Sequence, residues 1–516
     1  MLGVGSLGRE HARIYAELAA SGLVQFVGVH DVIADAGVRW RRGLASNTPH
    51  DRVAQPGTLE FSLRNDKGNL GGTAGWYSPN HASCRTGFTF GIPVRVVAND
   101  GSGDKVLWRG RLRTIDPTPG KELTPRTICT AHDVIGDLVE ADVRSIAPQV
   151  SQTEVQLLQA VIAALPTDAQ PPATSYDTAV DTYPYAFDDI GGGVKATEAL
   201  TRVTVSAQGL LYAKGDGTLR YDNRHSLTLR TSSATITEAS ILADRGLVVP
   251  STLTNIFNRV RVTIHPKTPA AATVLFALTG AQSVAPGQSV TIWGDYADPT
   301  NSLKLIGGTS FTTPIVATTD YLGNGQADGS GANLTSSLSI VTSAFAASVK
   351  FVVTNTSTTQ TVWITKLQLR GTAIYDNAPQ TFESFTAQTY GDRPLDVDLT
   401  YQNDGLVAQD LADYLKAQYL NLGDQIDEYA FDPQVSSTLM TQALTREIGD
   451  VITLSETITG LSSVPAMIIG IEGSAAAGSW LRHRFYLAPK TVGSVFVFDD
   501  AVLGVFDAAD ARFGYA

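Results

Sequence analysis

Short runs of alternating apolar and polar residues, each bounded by Gly, Asn, Asp or Pro, constrain the fold of this chain more than any other feature. A period of two places successive side chains on opposite faces of a sheet, and the bounding residues favour turns between strands. Because several such runs follow one another, residues 38–146 are predicted to form a small antiparallel barrel or sandwich. The runs are GTLEFSLRND at 57–66, IPVRVVAND at 92–100, KVLWRGRLRTID at 105–116 and PRTICTAHD at 125–133.

A different pattern begins with SQTEVQLLQAVIAALP, whose first residue is Ser151. Ser151 with Glu154 three residues later has the form of a capping box, which satisfies backbone N–H groups at the start of a helix. A second helix is predicted over 196–206, and LLYAKGDGTLRY at 210–221 is typical of a hairpin with an Asp-Gly turn. We therefore expect one α+β unit over about residues 150–250.

The composition shifts to Thr, Ser, Ala and Gly between residues 268 and 371. Within this span GQSVTIWGDY, SLSIVTSAF, SVKFVVTN and TVWITKLQLRG alternate as strands do, which favours a separate β-sandwich. The strand NRVRVTIHP precedes the span, and TFESFTAQTYG, a helix over 407–420 and further strands follow it. The simplest architecture is a sandwich inserted into a domain that begins before it and ends after it.

Together these patterns predict a mainly β, multidomain fold with α+β parts. A chain of 516 residues is too long for a single core, so several domains are expected. We predict two small antiparallel barrels, an α+β domain and an inserted β-sandwich. The expected divisions are an atypical N-terminal segment (1–37), a first barrel (38–149), the α+β domain (150–250), a second barrel with α+β character (251–267 and 372–490), the inserted sandwich (268–371) and a C-terminal tail segment (491–516).

Charge and cysteine content exclude several classes of function. The formal net charge is −12, whereas a nucleic-acid surface needs clustered Lys and Arg, and VRWRRG at 38–43 is a modest basic cluster. Cys84 and Cys129 do not have the spacing of a zinc site, so we expect them to be core thiols. No run approaches the roughly 18 apolar residues of a membrane span, and the first residues lack a signal-peptide core. Neither nucleic-acid recognition, a membrane span nor export by an encoded signal is therefore expected.

The chain opens with a glycine motif, GVGSLG, in which Gly3, Gly5 and Gly8 have the spacing of a dinucleotide-binding turn. Asp31 ends the next apolar run at the distance of a ribose-binding carboxylate. Residues 1–37 resemble the start of the Gfo/Idh/MocA oxidoreductases, which implies an NAD site and makes an NAD-dependent oxidoreductase one alternative function. Only two residues precede Gly3, so the strand that must hold the turn is missing. We therefore expect no bound cofactor, and we interpret the segment as a truncated Rossmann-like start or a leader plus strand.

Nine further segments occur in one order along residues 38–516. They are VRWRRG, DRVAQPGTLEFSLRND, YSP, GIPVRV, VLWRGRLRTIDPTPG, SAQGLLYAKGDGTLRYDNR, NIFNRVRVTIHP, LTREIGDVITLSE and the ending SVFVFDDAVLGVFDAADARFGYA. In this order they resemble the tail-tip or baseplate hub proteins, also called minor tail proteins, of tailed bacteriophages. The first segments resemble a first hub barrel, the middle one its small α+β domain, and the last ones a second barrel and the tail segment.

The hub resemblance implies a structural virion protein rather than an enzyme. It implies a homotrimeric ring, in which two barrels per chain give a pseudo-sixfold surface between the tail tube and threefold tip fibres. The implied partners are tube or distal tail, tape-measure and fibre proteins, and the implied location is the virion tail tip after assembly in the host cytoplasm. Exposed strand edges suit ring closure between neighbours, and a low charge content suits large obligate interfaces.

No nucleophile elbow, zinc-binding helix or phosphate-binding loop motif is present in the sequence, so no catalytic residue is predicted. The acidic pairs Asp188-Asp189 and Asp499-Asp500 are the alternative, as carboxylates of a glycosidase. Adjacent residues on a strand point to opposite faces, so neither pair is a ready acid and base.

The inserted sandwich carries the candidate ligand-binding residues. Trp293, Tyr296 and Trp363 are predicted to form an aromatic platform for a host-surface glycan, which makes a glycan-binding hub a second candidate function; core packing is the alternative interpretation. Asp328 and Asn333 bound the sequence DGSGAN and are weak candidates for a cation-binding turn. An ordinary loop is the alternative, because no bidentate Glu follows at EF-hand spacing, and no resident metal is expected.

We predict that deleting residues 1–21 leaves folding and assembly intact, because a glycine turn without its strand contributes little core. Thermal unfolding and particle mass of the shortened chain should match those of the full chain. A micromolar affinity of the full chain for NAD(H), measured by calorimetry, would contradict this interpretation.

Overall fold

The computed structural model describes residues 37–490 apart from several short stretches. Those stretches are 45–47, 49, 100–102, 119–124, 144–145, 147–148, 188–193, 243–245, 251, 254–255, 298–304, 346, 421–425 and 477–478. The predictions on Gly3, Gly5, Gly8, Asp31, both acidic pairs and the tail segment 491–516 lie outside the described residues.

Helices make up the smaller part of the described chain. The α-helices are α1 (Val134–Glu140), α2 (Glu154–Ala163), α3 (Ala196–Ala207), α4 (Arg224–Leu229), α5 (Gly405–Tyr419) and α6 (Ser437–Thr445). Short 3-10 helices lie at Glu238–Ser240, Thr335–Ser337 and Pro433–Val435. Across the part of the chain that the structure describes, no helix is long and apolar enough to cross a membrane.

Strands make up the larger part. In chain order they are β1 (Val38–Gly43), β2 (Gln55–Arg64), β3 (Pro93–Asn99), β4 (Asp104–Thr118), β5 (Arg126–His132), β6 (Asp142–Val143), β7 (Gln149–Thr153), β8 (Thr174–Tyr176), β9 (Thr182–Ala186), β10 (Val194–Lys195), β11 (Leu210–Ala213), β12 (Leu219–Asp222), β13 (Ser232–Ile236), β14 (Leu247–Val248), β15 (Arg259–Ile264), β16 (Lys267–Ala277), β17 (Gln282–Val284), β18 (Ser289–Asp295), β19 (Leu305–Thr309), β20 (Tyr321–Asn324), β21 (Leu338–Ala344), β22 (Ser348–Asn355), β23 (Val362–Asp376), β24 (Gln380–Phe385), β25 (Pro394–Leu399), β26 (Glu428–Phe431), β27 (Val451–Glu456), β28 (Leu461–Ala476) and β29 (Ser479–Pro489).

Eleven of these strands form one sheet in the order β14-β26-β29-β28-β1-β2-β5-β4-β3, with β27 and β13 attached beside β28. The mainly β, multidomain class with α+β parts is thereby confirmed. The finer prediction of two closed barrels is wrong for the described residues, because the strand path is open at β3 and at β14. The physical reason is the pairing of β1: one of its edges bonds β2 and the other bonds β28, so the first group of strands joins the last group instead of closing on itself.

Glycines make the junction between β1 and β28 unusually close. Trp40 on β1 lies opposite Gly473 on β28, and a Cβ on Gly473 would stand 2.2 Å from the indole ring. At the other end of the pair a Cβ on Gly43 would stand 2.4 Å from the Cα of Gly470. His483 packs edge-on against Trp40 at 5.8 Å between ring centroids, and burial lowers the pKa of its imidazole to about 3, so the ring is neutral at pH 7. Residues from both halves of the sheet are therefore buried in one cluster at this point.

A partly buried ion pair ties the same strand to the α+β part. Arg42 is 5% exposed and forms an ion pair with Glu447, while its guanidinium also donates to the carbonyl of Ala213 at 3.4 Å. Glu447 in turn accepts the backbone N–H of Gly215 at 3.3 Å, in the turn of the β11–β12 hairpin. Loss of Glu447 would leave the buried guanidinium of Arg42 without its ion-pair partner, so this contact fixes the hairpin against the junction.

The α+β part contains the predicted hairpin, β11 with β12, but its first helix is capped differently from the prediction. The capping box is Thr153 with Gln156: each side chain bonds the backbone N–H of the other. Ser151 lies in β7 with a positive φ of 50°. Glu154 is instead fully buried and accepts the N–H of Val180 at 2.6 Å. Both Ser151 and Thr153 fit the local motif, and the pairing of β7 with β9 decides between them.

A three-stranded sheet in the order β24-β15-β25 carries the insert. Its inner face packs on α5 through Val260, Val262 and Leu411, all fully buried. The chain leaves this sheet at Ile264 and returns at Gln380, and these two residues are paired across β15 and β24. The insert therefore leaves this sheet and returns to it at one residue pair, at the same end of the β15–β24 hairpin.

The insert consists of two facing sheets. One contains β16, β17, β19 and β20 arranged on the long strand β23, and the other has the order β18-β22-β21. Their inner faces share a core that includes Leu275, Phe351 and Ile364 and that forms a cluster separate from those of the other parts. Two sheets that bury their inner faces against each other are the arrangement of a β-sandwich.

We predict that Gly473→Ala destabilises the chain by about 1–3 kcal/mol, because a methyl group at this position overlaps the Trp40 ring in a packed core. Gly280→Ala is the matched control: no atom lies within 4 Å of a Cβ at that position. Urea unfolding of both variants measures the difference. Equal stability of the two would contradict the close junction.

Candidate functional site

The candidate site is the solvent-facing side of the sheet β18-β22-β21, which we call the outer face. On β18 the side chains of Val290 and Ile292 point inward, and a Cβ on Gly294 would stand 1.9 Å from the ring of Phe276. Because alternate residues point to opposite sides, this packing turns Trp293 to solvent. By the same alternation the outer face consists of Ser289, Thr291, Trp293, Asp295, Ser339, Val341, Ser343, Ser348, Lys350, Val352 and Thr354.

Trp293 is the central aromatic group of the outer face. It is 60% exposed, and its ring stacks on Phe345 with 5.7 Å between centroids and 19° between planes. Lys350 lies directly across from it on β22, with its ammonium 5.5 Å from the ring centroid, within the range of a cation–π contact. The indole is therefore held from two directions and still presents a large free surface.

Polar groups flank Trp293 along β18. Ser289 and Thr354 share a hydroxyl–hydroxyl bond of 2.7 Å, and Thr291 lies between Ser289 and Trp293 on the same face. At the other end, Asp295 is exposed and pairs in register with Ser348. The face thus combines one aromatic ring with a donor-only ammonium, an acceptor-only carboxylate and several hydroxyls.

The other two predicted aromatic residues lie elsewhere in the sandwich. Tyr296 is 8% exposed and donates its hydroxyl to the carbonyl of Phe345 at 2.9 Å, and burial raises the pKa of its phenol. Trp363 is half-buried on β23, in the opposite sheet, across from Ser283 and Asn324. Of the three, Trp293 alone belongs to the outer face.

The predicted cation turn is held by its own hydrogen bonds. Asp328 accepts from the N–H of Ser330 at 2.9 Å and from its hydroxyl at 2.6 Å, and these bonds lower the pKa of the carboxyl. Asn333 accepts the N–H of Thr335 at 3.0 Å. Among the described residues, no group of three or more His, Cys, Asp or Glu side chains has the geometry to hold a metal ion.

Sequence reasoning missed Lys350, Asp295 and Phe345 as members of this site. The alternation in SVKFVVTN already places Lys350 on the face opposite the buried Val349 and Phe351. The pattern does not show that β22 pairs with β18, and it is this pairing that brings Lys350 beside Trp293.

Comparison with known families and with curated proteins gives no match: no family model and no curated protein matches this chain.

Comparison with solved structures finds phage tail proteins at low sequence identity. The 43 kDa tail protein of prophage MuSo2 from Shewanella oneidensis is 10% identical, covers 91% of this chain and 96% of its own, and has a TM-score of 0.45. A tail protein from Neisseria meningitidis MC58 is 11% identical over 91% and 96%, with a TM-score of 0.47. Prophage tail protein gp18 from Listeria monocytogenes EGD-e is 7% identical over 90% and 91%, with a TM-score of 0.42. At these TM-scores the likeness assigns neither a family nor a function to this chain.

We predict that the insert can be removed without unfolding the rest of the chain. Replacing residues 269–374 with a short Gly/Ser linker keeps Lys267 and Asp376, which pair at the base of the insert, and leaves β15 and β24 as a hairpin. The shortened chain should retain a cooperative thermal transition close to that of the full chain, because the core of the insert is separate. Loss of cooperative unfolding would show that the sandwich is part of the host domain.

Proposed function

We propose that this chain is a structural component of a bacteriophage tail tip, a hub that closes into a homotrimeric ring and joins the tail tube to tip or fibre proteins. The observation that carries the proposal is the β1–β28 pairing. It sets two antiparallel groups of strands edge to edge within one chain, over six consecutive residue pairs from Val38–Ala475 to Gly43–Gly470. Each chain contributes two groups of antiparallel strands. If three chains pair with one another edge to edge in the same way, six such groups surround the axis of the ring.

The open sheet ends supply the edges for that closure. In the described chain β3 bonds β4 on one side only, and at the far end the two-residue strand β14 bonds β26 on one side only. An open edge presents backbone N–H and C=O groups that another strand can bond. Repeated head-to-tail contacts between two different edges close into a ring when the rotation from one chain to the next divides a full turn evenly. In the proposed trimer this rotation is one third of a turn.

The charges of the two edges are complementary. Arg95 on β3 lies directly opposite Arg109 on β4, and neither forms an ion pair within the described residues. Like charges that face each other across two strands cost stability, and a carboxylate from a neighbour relieves that cost. At the other end of the sheet three carboxylates lie on or beside β26: Glu428 and Asp432 already form ion pairs with Arg484 and Arg482 on β29, and Asp427 forms none within the described residues. Asp427 is therefore the carboxylate that supports this end of the sheet as the partner of β3 in the ring.

We predict a particle mass of three times the chain mass of 54.7 kDa in light scattering after gel filtration. The variant Arg95→Glu/Arg109→Glu should shift the particles toward single chains, because it places carboxylates against carboxylates. Lys67→Glu/Arg85→Glu is the matched control, since it changes the net charge equally on exposed residues away from β3. A single-chain mass of the unaltered protein at its highest soluble concentration would overturn the proposal.

A second function, binding of a host-surface glycan by the hub, is favoured by one observation. Trp293 is 60% exposed on a strand that is paired over its full length, although an aromatic side chain of its size is normally mostly buried. In the proposed hub the insert is a surface element, so its ligand contacts are independent of the ring. The variant without residues 269–374 should still form the ring and should lose binding to host cells; unchanged binding would exclude this function.

A further inference from the structure

We infer that the outer face takes a neutral hexopyranose chain, with one sugar ring stacked on Trp293 and its hydroxyls bound between Lys350 and Asp295. This inference rests on the second function above and specifies its ligand class. The three side chains lie on two paired strands of one sheet, so their spacing is fixed by backbone register and not by a loop.

Stacking of a sugar ring on Trp293 is the first component of the proposed binding site. Phe345 stacks on the ring of Trp293 with 19° between planes, and the Trp293 residue as a whole is 60% exposed. A side chain that is already held in place loses little rotamer freedom when a ligand binds. The flat, apolar C–H face of a pyranose matches this surface, whereas an extended peptide offers no ring of similar shape.

The flanking charges select hydroxyl groups. Lys350 has three donors and no acceptor, and the Asp295 carboxylate has acceptors and no donor when ionised. A sugar hydroxyl both donates and accepts, so neighbouring hydroxyls of one ring satisfy the two side chains together. No ion pair joins Lys350 with Asp295 among the described residues, and the Lys350 ammonium, 5.5 Å from the centroid of the Trp293 ring, lies beside the position of the stacked sugar.

The net charge of the insert and of the whole chain favours a neutral glycan over an acidic one as the ligand. The insert, residues 268–371, has a formal charge of zero, because Asp295, Asp298, Asp320 and Asp328 balance Lys304, Lys350, Lys366 and Arg370. The whole chain carries −12, so all of the excess negative charge lies outside the insert. A polyanionic glycan would approach an acidic particle through a site without net positive charge, and repulsion opposes that approach.

The hydroxyl row extends the site beyond one sugar. Thr291 and the bonded pair of Ser289 and Thr354 lie along the same face, two and four residues from Trp293 on β18. At about 3.4 Å per residue these groups reach roughly 7 and 14 Å from the stacked ring. We therefore expect oligosaccharides to bind more tightly than the matching monosaccharide.

Calorimetry on the full chain tests the inference with defined probes. The neutral probes are hexasaccharides of glucose, galactose and N-acetylglucosamine, and the acidic probes are hexasaccharides of hyaluronan and polygalacturonate. We expect at least one neutral probe to bind, with Trp293→Ala weakening that binding by about tenfold or more, which corresponds to about 1.4 kcal/mol. Lys350→Met and Asp295→Asn, which keep side-chain size, should each weaken it several-fold.

Phe90→Ala is the matched control, because Phe90 is an aromatic residue outside the insert with nearly the same exposure, 61%. It should leave binding unchanged, and thermal unfolding of each variant verifies that the fold is retained. Binding of acidic probes alone overturns the neutral-sugar inference and leaves glycan binding by the hub in place. Binding of none of the probes, or equal loss in Phe90→Ala and Trp293→Ala, overturns the inference; the ring mass is a separate readout of the hub proposal.

Discussion

The close contact of Trp40 with Gly473 is the constraint on which the rest of the arrangement depends. A glycine opposite an indole lets two strands from opposite ends of the described chain pair at full length and bury their side chains together. The Arg42–Glu447 pair then fixes the β11–β12 hairpin to the same strand. With that junction formed, the strand path ends at β3 and at β14, and a head-to-tail ring needs two such different edges on one chain.

Local patterns predicted much of this fold because strand alternation and turn residues are local properties. The mainly β class, the α+β hairpin and the strands of the insert could be identified from period and composition alone. The open sheet could not, because its decisive contact joins residues near 40 to residues near 473 and leaves no mark on either local pattern. The displaced capping box has a similar origin: Ser151 and Thr153 fit one motif, and a strand pairing elsewhere selects Thr153.

The candidate site shows the same division between local and long-range information. The predicted platform grouped Trp293 with Tyr296, although residues three apart on a strand point to opposite faces, and Tyr296 follows the last residue of β18. Trp363 belongs to the other sheet, and Lys350 reaches Trp293 only through the pairing of β22 with β18. Neither relation follows from composition. The insert is nevertheless independent of the junction in its core, so a ligand site on it can change while the ring contacts stay the same.

The most direct test of the account is an electron cryo-microscopy reconstruction of the purified full-length chain. The account predicts a closed ring of three chains in which six groups of antiparallel strands surround the axis and β3 of each chain bonds the β14 end of the next chain's sheet. Particles that contain one chain, a ring with another symmetry, or a trimer in which β3 is exposed to solvent would contradict it.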